Sequence, residues 1–266
     1  MIIEYNRPTA LENALLLLAR KEPMTVPLGG GSVVNRPSPL SLAVVDLQDL
    51  GLNYFRAVGN TLELGATLNL QMLLNHLYTS DNVHYSFADS LKKAISHEAT
   101  YNLRQVGTIA GRLVSASGRS PFALVMLALD AFLYIQPQNQ KVWLGDLLPQ
   151  RKEKLRNALI TQVSIPSNAR LCYEYVARSP ADQPIVAVAV SIWPSRRTRV
   201  ALGGYGSAPI MVFDGPEAEG SEIAARSAYN QAGDSWASAE YRQEMVGMLT
   251  KRCLEQLESV SNHRSD

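Results

Sequence analysis

Pro27-Leu28-Gly29-Gly30-Gly31-Ser32-Val33-Val34-Asn35-Arg36 continues from a strand expected over Met24–Leu28 and gathers glycines, a hydroxyl and a cation into one short loop. Glycine reaches positive φ and lets a ligand come close to backbone N–H groups. Successive N–H groups in such a turn form a concave anion site suited to phosphate or pyrophosphate. An ordinary tight turn uses the same residues, so this loop alone decides little. A second glycine-bearing stretch strengthens the phosphate reading: Val106-Gly107-Thr108-Ile109-Ala110-Gly111-Arg112.

The outer bounds come from composition. A chain of 266 residues makes one large domain or two of ordinary size. With 46% hydrophobic and 18% charged residues it has a sizeable core available and is not broadly disordered. The formal net charge of +1 gives no global attraction to nucleic acid or to an acidic membrane. Apolar runs such as Ala14–Ala19 and Phe122–Tyr134 are too short to span a bilayer. No basic region or signal-peptide core opens the chain, so the expected location is cytoplasmic. Cys172 and Cys253 fit a reducing compartment and exclude an all-cysteine cluster within the chain. His76, His84, His97 and His263 show no metal-ligand spacing, and no metal site is expected.

Outward from the glycine loop, Met1–Tyr5 reads as a strand and Pro8–Lys21 as a helix entered at proline. Beyond Pro37 and Pro39, Leu42–Asp46 is a buried strand. Phe55–Val58 and Thr61–Gly65 form a hairpin through Gly59-Asn60, and Leu68–Leu77 is a helix. Tyr85–Ile95 shows one helical apolar face. Within it Ser90 and Lys93 match S-x-x-K, but the companion motifs of acyl-serine hydrolases are missing. Phe122–Tyr134 is one long apolar run broken by Asp130. Val142–Leu144 and a turn at Asp146–Pro149 close this half, and the charged Arg151–Arg156 reads as a solvated face near a boundary. Strands then follow at Leu159–Ile165, Leu171–Val176, Ile185–Trp193 and Arg199–Gly203, with helices at Ala218–Tyr229 and Ala239–Leu257. That order points to an α+β fold with an antiparallel sheet covered by helices on one face. A Rossmann reading of the first loop fails, because Val34 stands where the third glycine belongs.

Seven motifs in register carry a resemblance over residues 1–257. They are Pro27–Ser32, Val44–Leu47, Leu62–Thr67, Leu103–Gly111, Leu127–Ala131, Val200–Gly204 and Ala237–Arg242. Together they resemble the FAD-binding medium subunit of molybdenum hydroxylases, the type found in carbon monoxide dehydrogenase and xanthine dehydrogenase. The resemblance implies an α+β, vanillyl-alcohol-oxidase-type FAD-binding domain over residues 1–154, with subdomains at about 1–52 and 53–154. A carboxy-terminal domain with a three-stranded antiparallel sheet and helices would follow over 155–260, then a polar tail over 261–266. It implies that both loops hold the FAD pyrophosphate through backbone N–H groups, assisted by hydroxyls. The residues are Gly29, Gly30, Gly31, Ser32 and Val33 in the first loop, and Thr108, Ile109, Ala110 and Gly111 in the second. Ser117 falls where the family commonly places the aspartate of the adenosine ribose. Asp182 falls where the second domain approaches the flavin; a plain turn is the competing reading. Tyr173, Tyr175, Trp193 and Tyr205 are aromatic candidates for the ring, or core and interface residues.

In that family electrons pass from a molybdenum centre through iron–sulfur clusters and FAD to an external acceptor. The resemblance therefore implies iron–sulfur and molybdopterin subunits as partners in a hetero-oligomer, an oxidoreductase subunit inactive alone, and no catalytic acid–base residues of its own. The departures are local. Ala110 and Arg112 stand where glycine and asparagine are common, and Ser117 and Pro121 stand at acidic positions. One lost charged hydrogen bond to a ribose is worth about 1–3 kcal/mol. A member that keeps the fold, has lost FAD and serves assembly is the alternative.

Overall fold

The computed structural model describes residues 1–34, 41–79 and 85–262, the last three without their side chains. Asn35, Arg36, Pro37, Pro39, His84 and the tail His263–Asp266 lie outside the described residues. The chain divides into two compact units that interleave in sequence. The first is Met1–Tyr78, Ala99–Ser115 and Phe132–Ile165; the second is Thr79–Glu98, Ala116–Ala131 and Pro166–Asp266. Together they make a mixed α and β architecture.

The first unit opens with β1 (Ile2–Asn6), α1 (Leu11–Ala19), β2 (Thr25–Leu28) and β3 (Leu42–Asp46). These strands form a parallel sheet ordered β1-β3-β2, with Tyr5 and Val26 both opposite Val44. The middle strand carries the buried Ala43, Val44 and Val45, as a strand flanked on both sides should. A 3₁₀ turn at Gln48–Leu50 follows. A five-stranded sheet takes the order β4-β5-β8-β6-β7, from β4 (Phe55–Val58), β5 (Thr61–Gly65), β6 (Phe132–Gln136), β7 (Gln140–Trp143) and β8 (Leu159–Pro166). The β4–β5 hairpin turns at Gly59, whose φ is +57°, as its Gly-Asn pair predicts. Helices α2 (Leu70–Thr79), α4 (Tyr101–Val106), α5 (Ile109–Ser115) and α7 (Leu144–Lys154) complete the unit. The turn expected at Asp146–Pro149 is instead inside α7. Leu144, Leu147 and Leu148 are buried on one face, and that burial outweighs an interior proline.

The second unit contains α3 (Ala88–Glu98), α6 (Pro121–Ala128), an antiparallel sheet and two closing helices. The sheet has four strands, not three: β9 (Arg170–Val176), β10 (Val186–Ile192), β11 (Thr198–Gly203) and β12 (Ile210–Gly215), in the order β12-β11-β10-β9. Helices also cover both of its faces rather than one. Val186, Val188, Val190, Val200 and Leu202 pack with Ala225 and Tyr229 around α8 (Ser221–Ala228) and with Val246, Leu249 and Cys253 of α9 (Ala239–Asn262). The alternate residues of β10, Ala187 and Ala189, are small and equally buried. A Cβ on the neighbouring Gly203 would lie 3.2 Å from Leu124 of α6 and 3.7 Å from Ala187. Every residue of α6 is buried, so a helix apolar all round sits between layers. The run Phe122–Tyr134 is thus a helix and a strand, divided where Asp130 takes φ +57°. Asp130 accepts from Arg197 Nη1 at 2.9 Å, and aspartate is among the few residues that adopt this backbone readily.

Candidate functional site

Where β2 ends, Gly29–Gly31 leave the sheet, and Gly31 takes φ +72°. The first two glycines are required by closeness. A Cβ on Gly29 would lie 2.9 Å from Thr108 Oγ1, and one on Gly30 would lie 1.5 Å from the Val106 carbonyl oxygen. The two glycine stretches are therefore pressed together, as the phosphate reading requires.

They differ in what their N–H groups do. The second stretch is not a loop throughout: Val106 ends α4, Gly107 and Thr108 link the helices, and Ile109, Ala110 and Gly111 form the first turn of α5. Ile109 N donates to Leu68 O at 2.8 Å, Ala110 N to Ala66 O at 3.2 Å, and Gly111 N to Thr108 Oγ1 at 3.2 Å. Thr108 thus caps the helix through its hydroxyl. Ile109 is fully buried. Among the described residues, nothing accepts a hydrogen bond from the N–H groups of Gly29, Gly30, Gly31, Ser32 or Val33. Five consecutive donors with no partner among the described residues, in a loop packed too closely for a Cβ at Gly30, form an anion cradle.

A cavity lies on either side of the loop. One, of about 540 Å³, is mixed and the more polar of the two: Gly29–Gly31, Arg7, Gln48, Asp49, Asn53, Thr67, Asn69, Gln105 and Thr108 line it with Leu28 and Val106. Thr67 Oγ1 is buried there with no hydrogen-bond partner among the described residues. The other, of about 330 Å³, is largely apolar. Gly29–Val33, Thr108, Ala110 and Gly111 meet Val26, Leu47, Val114, Leu155 and Leu159 there. Both volumes are of the size usual for organic ligands. Arg7 donates from Nε and Nη2 to Asp49 at 2.7 and 2.8 Å, and the guanidinium holds that carboxyl below its ordinary range.

Sequence alone did not mark Arg7, Asp49, Asn53, Thr67, Asn69 or Gln105. Only Asn69 had a readable signal, since it caps α2 by accepting from Met72 N at 2.8 Å. Ser117 and Asp182 belong to the second unit. Ser117 Oγ accepts from Arg119 N at 3.2 Å, and the next residue, Gly118, is hydrogen-bonded to Gly204 and Gly206. The turn at Asp182 closes through backbone, Asp182 N to Ser179 O at 3.1 Å, and the Asp182 carbonyl meets His97 Nε2 at 2.7 Å. Tyr173 is buried with its hydroxyl 3.0 Å from His97 Nδ1, and Tyr175 stacks on it. Trp193 is buried and Tyr205 packs over the Arg242 guanidinium. Ser90 donates to Leu171 O and Lys93 to Tyr173 O, so the S-x-x-K match holds no nucleophile and base. Arg112 lies over Gly107, where a Cβ would be 2.9 Å from its Nε. Among the described residues no group of three or more His, Cys, Asp or Glu could hold a metal, and no helix is long and apolar enough to cross a membrane.

A family model described as the FAD-binding domain in molybdopterin dehydrogenase matches residues 1–168. The chain belongs to that family. Its relatives include the uncharacterized protein YgfM of Escherichia coli K12, 27% identical over 256 residues and covering 94% of each chain. The nicotine 6-hydroxylase medium subunit of Paenarthrobacter nicotinovorans is 28% identical over 280 residues, covering 95% of this chain and 96% of that one. In fold, the chain matches a carbon monoxide dehydrogenase from Oligotropha carboxidovorans with TM-score 0.78 at 23% identity, over 95% and 96% of the two chains. This is an FAD-binding subunit of the molybdenum-hydroxylase type, an oxidoreductase whose cofactor is FAD. The residues present fit that group: an N–H run for two phosphates and a buried hydroxyl, neither with a partner among the described residues, and two ligand-sized cavities against the loop.

Proposed function

We propose that this chain is the electron-relay subunit of a molybdopterin dehydrogenase complex, assembled with an iron–sulfur and a molybdopterin subunit and inactive alone. FAD, when bound, supplies the redox chemistry, taking electrons from the iron–sulfur clusters and passing them to an external acceptor. The domains follow the vanillyl-alcohol-oxidase pattern, with an FAD-binding domain that takes in β8 of the five-stranded sheet and a carboxy-terminal domain after it. A cytoplasmic location agrees with two free, buried cysteines.

The single observation that carries this reading is the N–H run of Gly29, Gly30, Gly31, Ser32 and Val33, which has no partner among the described residues. A pyrophosphate bears two charges, and several charge-assisted N–H bonds can hold it without a cation. Val106 and Thr108 hold that run in place by contact with Gly30 and Gly29. Ile109, Ala110 and Gly111 contribute by shape, their N–H groups being used within the chain. The assignments of Ser117 and Asp182 rest on the resemblance alone. A difference spectrum of the purified chain titrated with FAD tests the reading. Saturable changes in the flavin bands are expected; a flat trace sinks it and favours the cofactor-free assembly subunit.

A further inference from the structure

The polar cavity holds a carboxylate where an anion site should have none. Asp49 lines the same space as Gly29–Gly31. Facing a diphosphate, an unshielded carboxylate repels; Arg7, whose Nε also lies 4.0 Å from Asp46, offsets that repulsion by binding both oxygens of Asp49. Asp49 accepts from Arg7 alone among the described residues, so each oxygen keeps a lone pair for a ligand. The rest of the wall is uncharged: beside Leu28 and Val106 it offers the carboxamides of Gln48, Asn53, Asn69 and Gln105 and the Thr67 hydroxyl, which has no partner among the described residues. A neutralised carboxylate among amides and a hydroxyl matches vicinal hydroxyl groups, which both donate and accept.

We infer that Asp49, positioned by Arg7, is the hydroxyl acceptor of the cofactor site, binding a diol adjoining the pyrophosphate. The inference rests on the FAD reading. It also gives this chain an acceptor in place of the aspartate missing at Ser117, from a residue 42 positions along the chain from its partner. Two parts of FAD carry this chemistry, the adenosine ribose and the ribityl chain.

The test is the affinity of the full chain for three ligands: FAD, FAD lacking the adenosine 2′-hydroxyl, and FAD lacking the ribityl 2′-hydroxyl. The wild-type chain should bind one of the deoxy ligands about tenfold more weakly than FAD, which identifies the half bound. Asp49→Asn should bind FAD about tenfold more weakly and no longer distinguish it from that deoxy ligand. Asp49→Ser is the second variant, and thermal midpoints check that both are folded. A merely structural Asp49 would lower affinity for all three ligands equally. That result overturns the inference, as does an Asp49→Asn chain that discriminates like the wild type. If the wild-type chain binds no FAD, the FAD reading fails and the inference with it.

Discussion

Gly30→Ala is the sharpest perturbation of the cradle. The added Cβ would lie 1.5 Å from the Val106 carbonyl oxygen and 2.5 Å from its carbon. Carbon and oxygen sit at roughly 3.3 Å in close contact, so the loop or the carbonyl must retreat by almost 2 Å. The obstacle is backbone, and no rotamer change relieves it. Overpacking of this kind costs about 1–3 kcal/mol, equivalent to a fall of roughly 2–12 °C in the thermal midpoint of a domain this size. The larger effect is on the ligand. A displacement of that size takes N–H groups out of the 2.7–3.2 Å range, and a charged hydrogen bond is worth roughly 1.5–3 kcal/mol. Losing two such bonds weakens FAD by at least about 100-fold. Gly59→Ala is the control: φ is +57° but nothing lies within 4 Å of its Cβ, so it should lose about 1–2 kcal/mol of stability and no affinity. The assay is flavin fluorescence titration of both variants beside wild type. A Gly30→Ala chain that is folded and binds FAD within threefold of wild type would refute the placement of the pyrophosphate on this loop.

Two further outcomes concern the second unit. Arg242 is fully buried and donates to the carbonyls of Ile185, Ala232 and Ala237 and to Asp234. Arg242→Met leaves the carbonyls of Ile185 and Ala232 without a donor among the described residues and should lower stability by about 3–5 kcal/mol, read from the urea midpoint. Burial pushes the Asp234 carboxyl up, but hydrogen bonds from Arg242 and from the N–H groups of Trp236 and Ala237 outweigh it, and the net shift is downward. Its contribution is therefore present above the ordinary carboxylate pKa and lost as pH falls through the depressed folded value. Between pH 4 and 2 the urea midpoint of wild type should fall more steeply than that of Asp234→Asn; parallel slopes would contradict the assignment.

Much of this fold was legible because burial left periodic traces. Val186–Ile192 is apolar except for the buried Ser191 because it is covered on both faces, and its run of valines alternating with alanines records which face meets the large side chains of α8 and α9. The β4–β5 hairpin was marked by Gly59-Asn60. What escaped notice did so for physical reasons. β12 is an edge strand with no fully buried residue, so Ile210–Gly215 shows no clean alternation. α5 hides behind Gly107 and Gly111, which read as loop; Gly111 is in the helix because its Cβ would strike Thr108 Oγ1 at 2.8 Å. In the site, glycines announce close approach, whereas Arg7 and Asp49 meet only through the parallel pairing of β1 with β3.

The two glycine stretches look equivalent in sequence, yet they are divided in labour by where each sits. The first follows the carboxyl end of β2 in a parallel sheet, where the ladder stops and N–H groups have no next strand to meet. The second is tied to residues 66–70 by Leu70 N to Gly107 O, Ile109 N to Leu68 O and Ala110 N to Ala66 O, and then enters a helix. One presents donors; the other is the wall that holds them in position through Val106 O and Thr108. A departure such as Ala110 fits the backbone at this place. Its backbone is right-handed helix, outside the positive-φ region that would demand glycine, and its N–H already serves Ala66. A side chain added there changes neither the donor set nor the backbone. The same substitution at Gly30, in the presenting stretch, changes both.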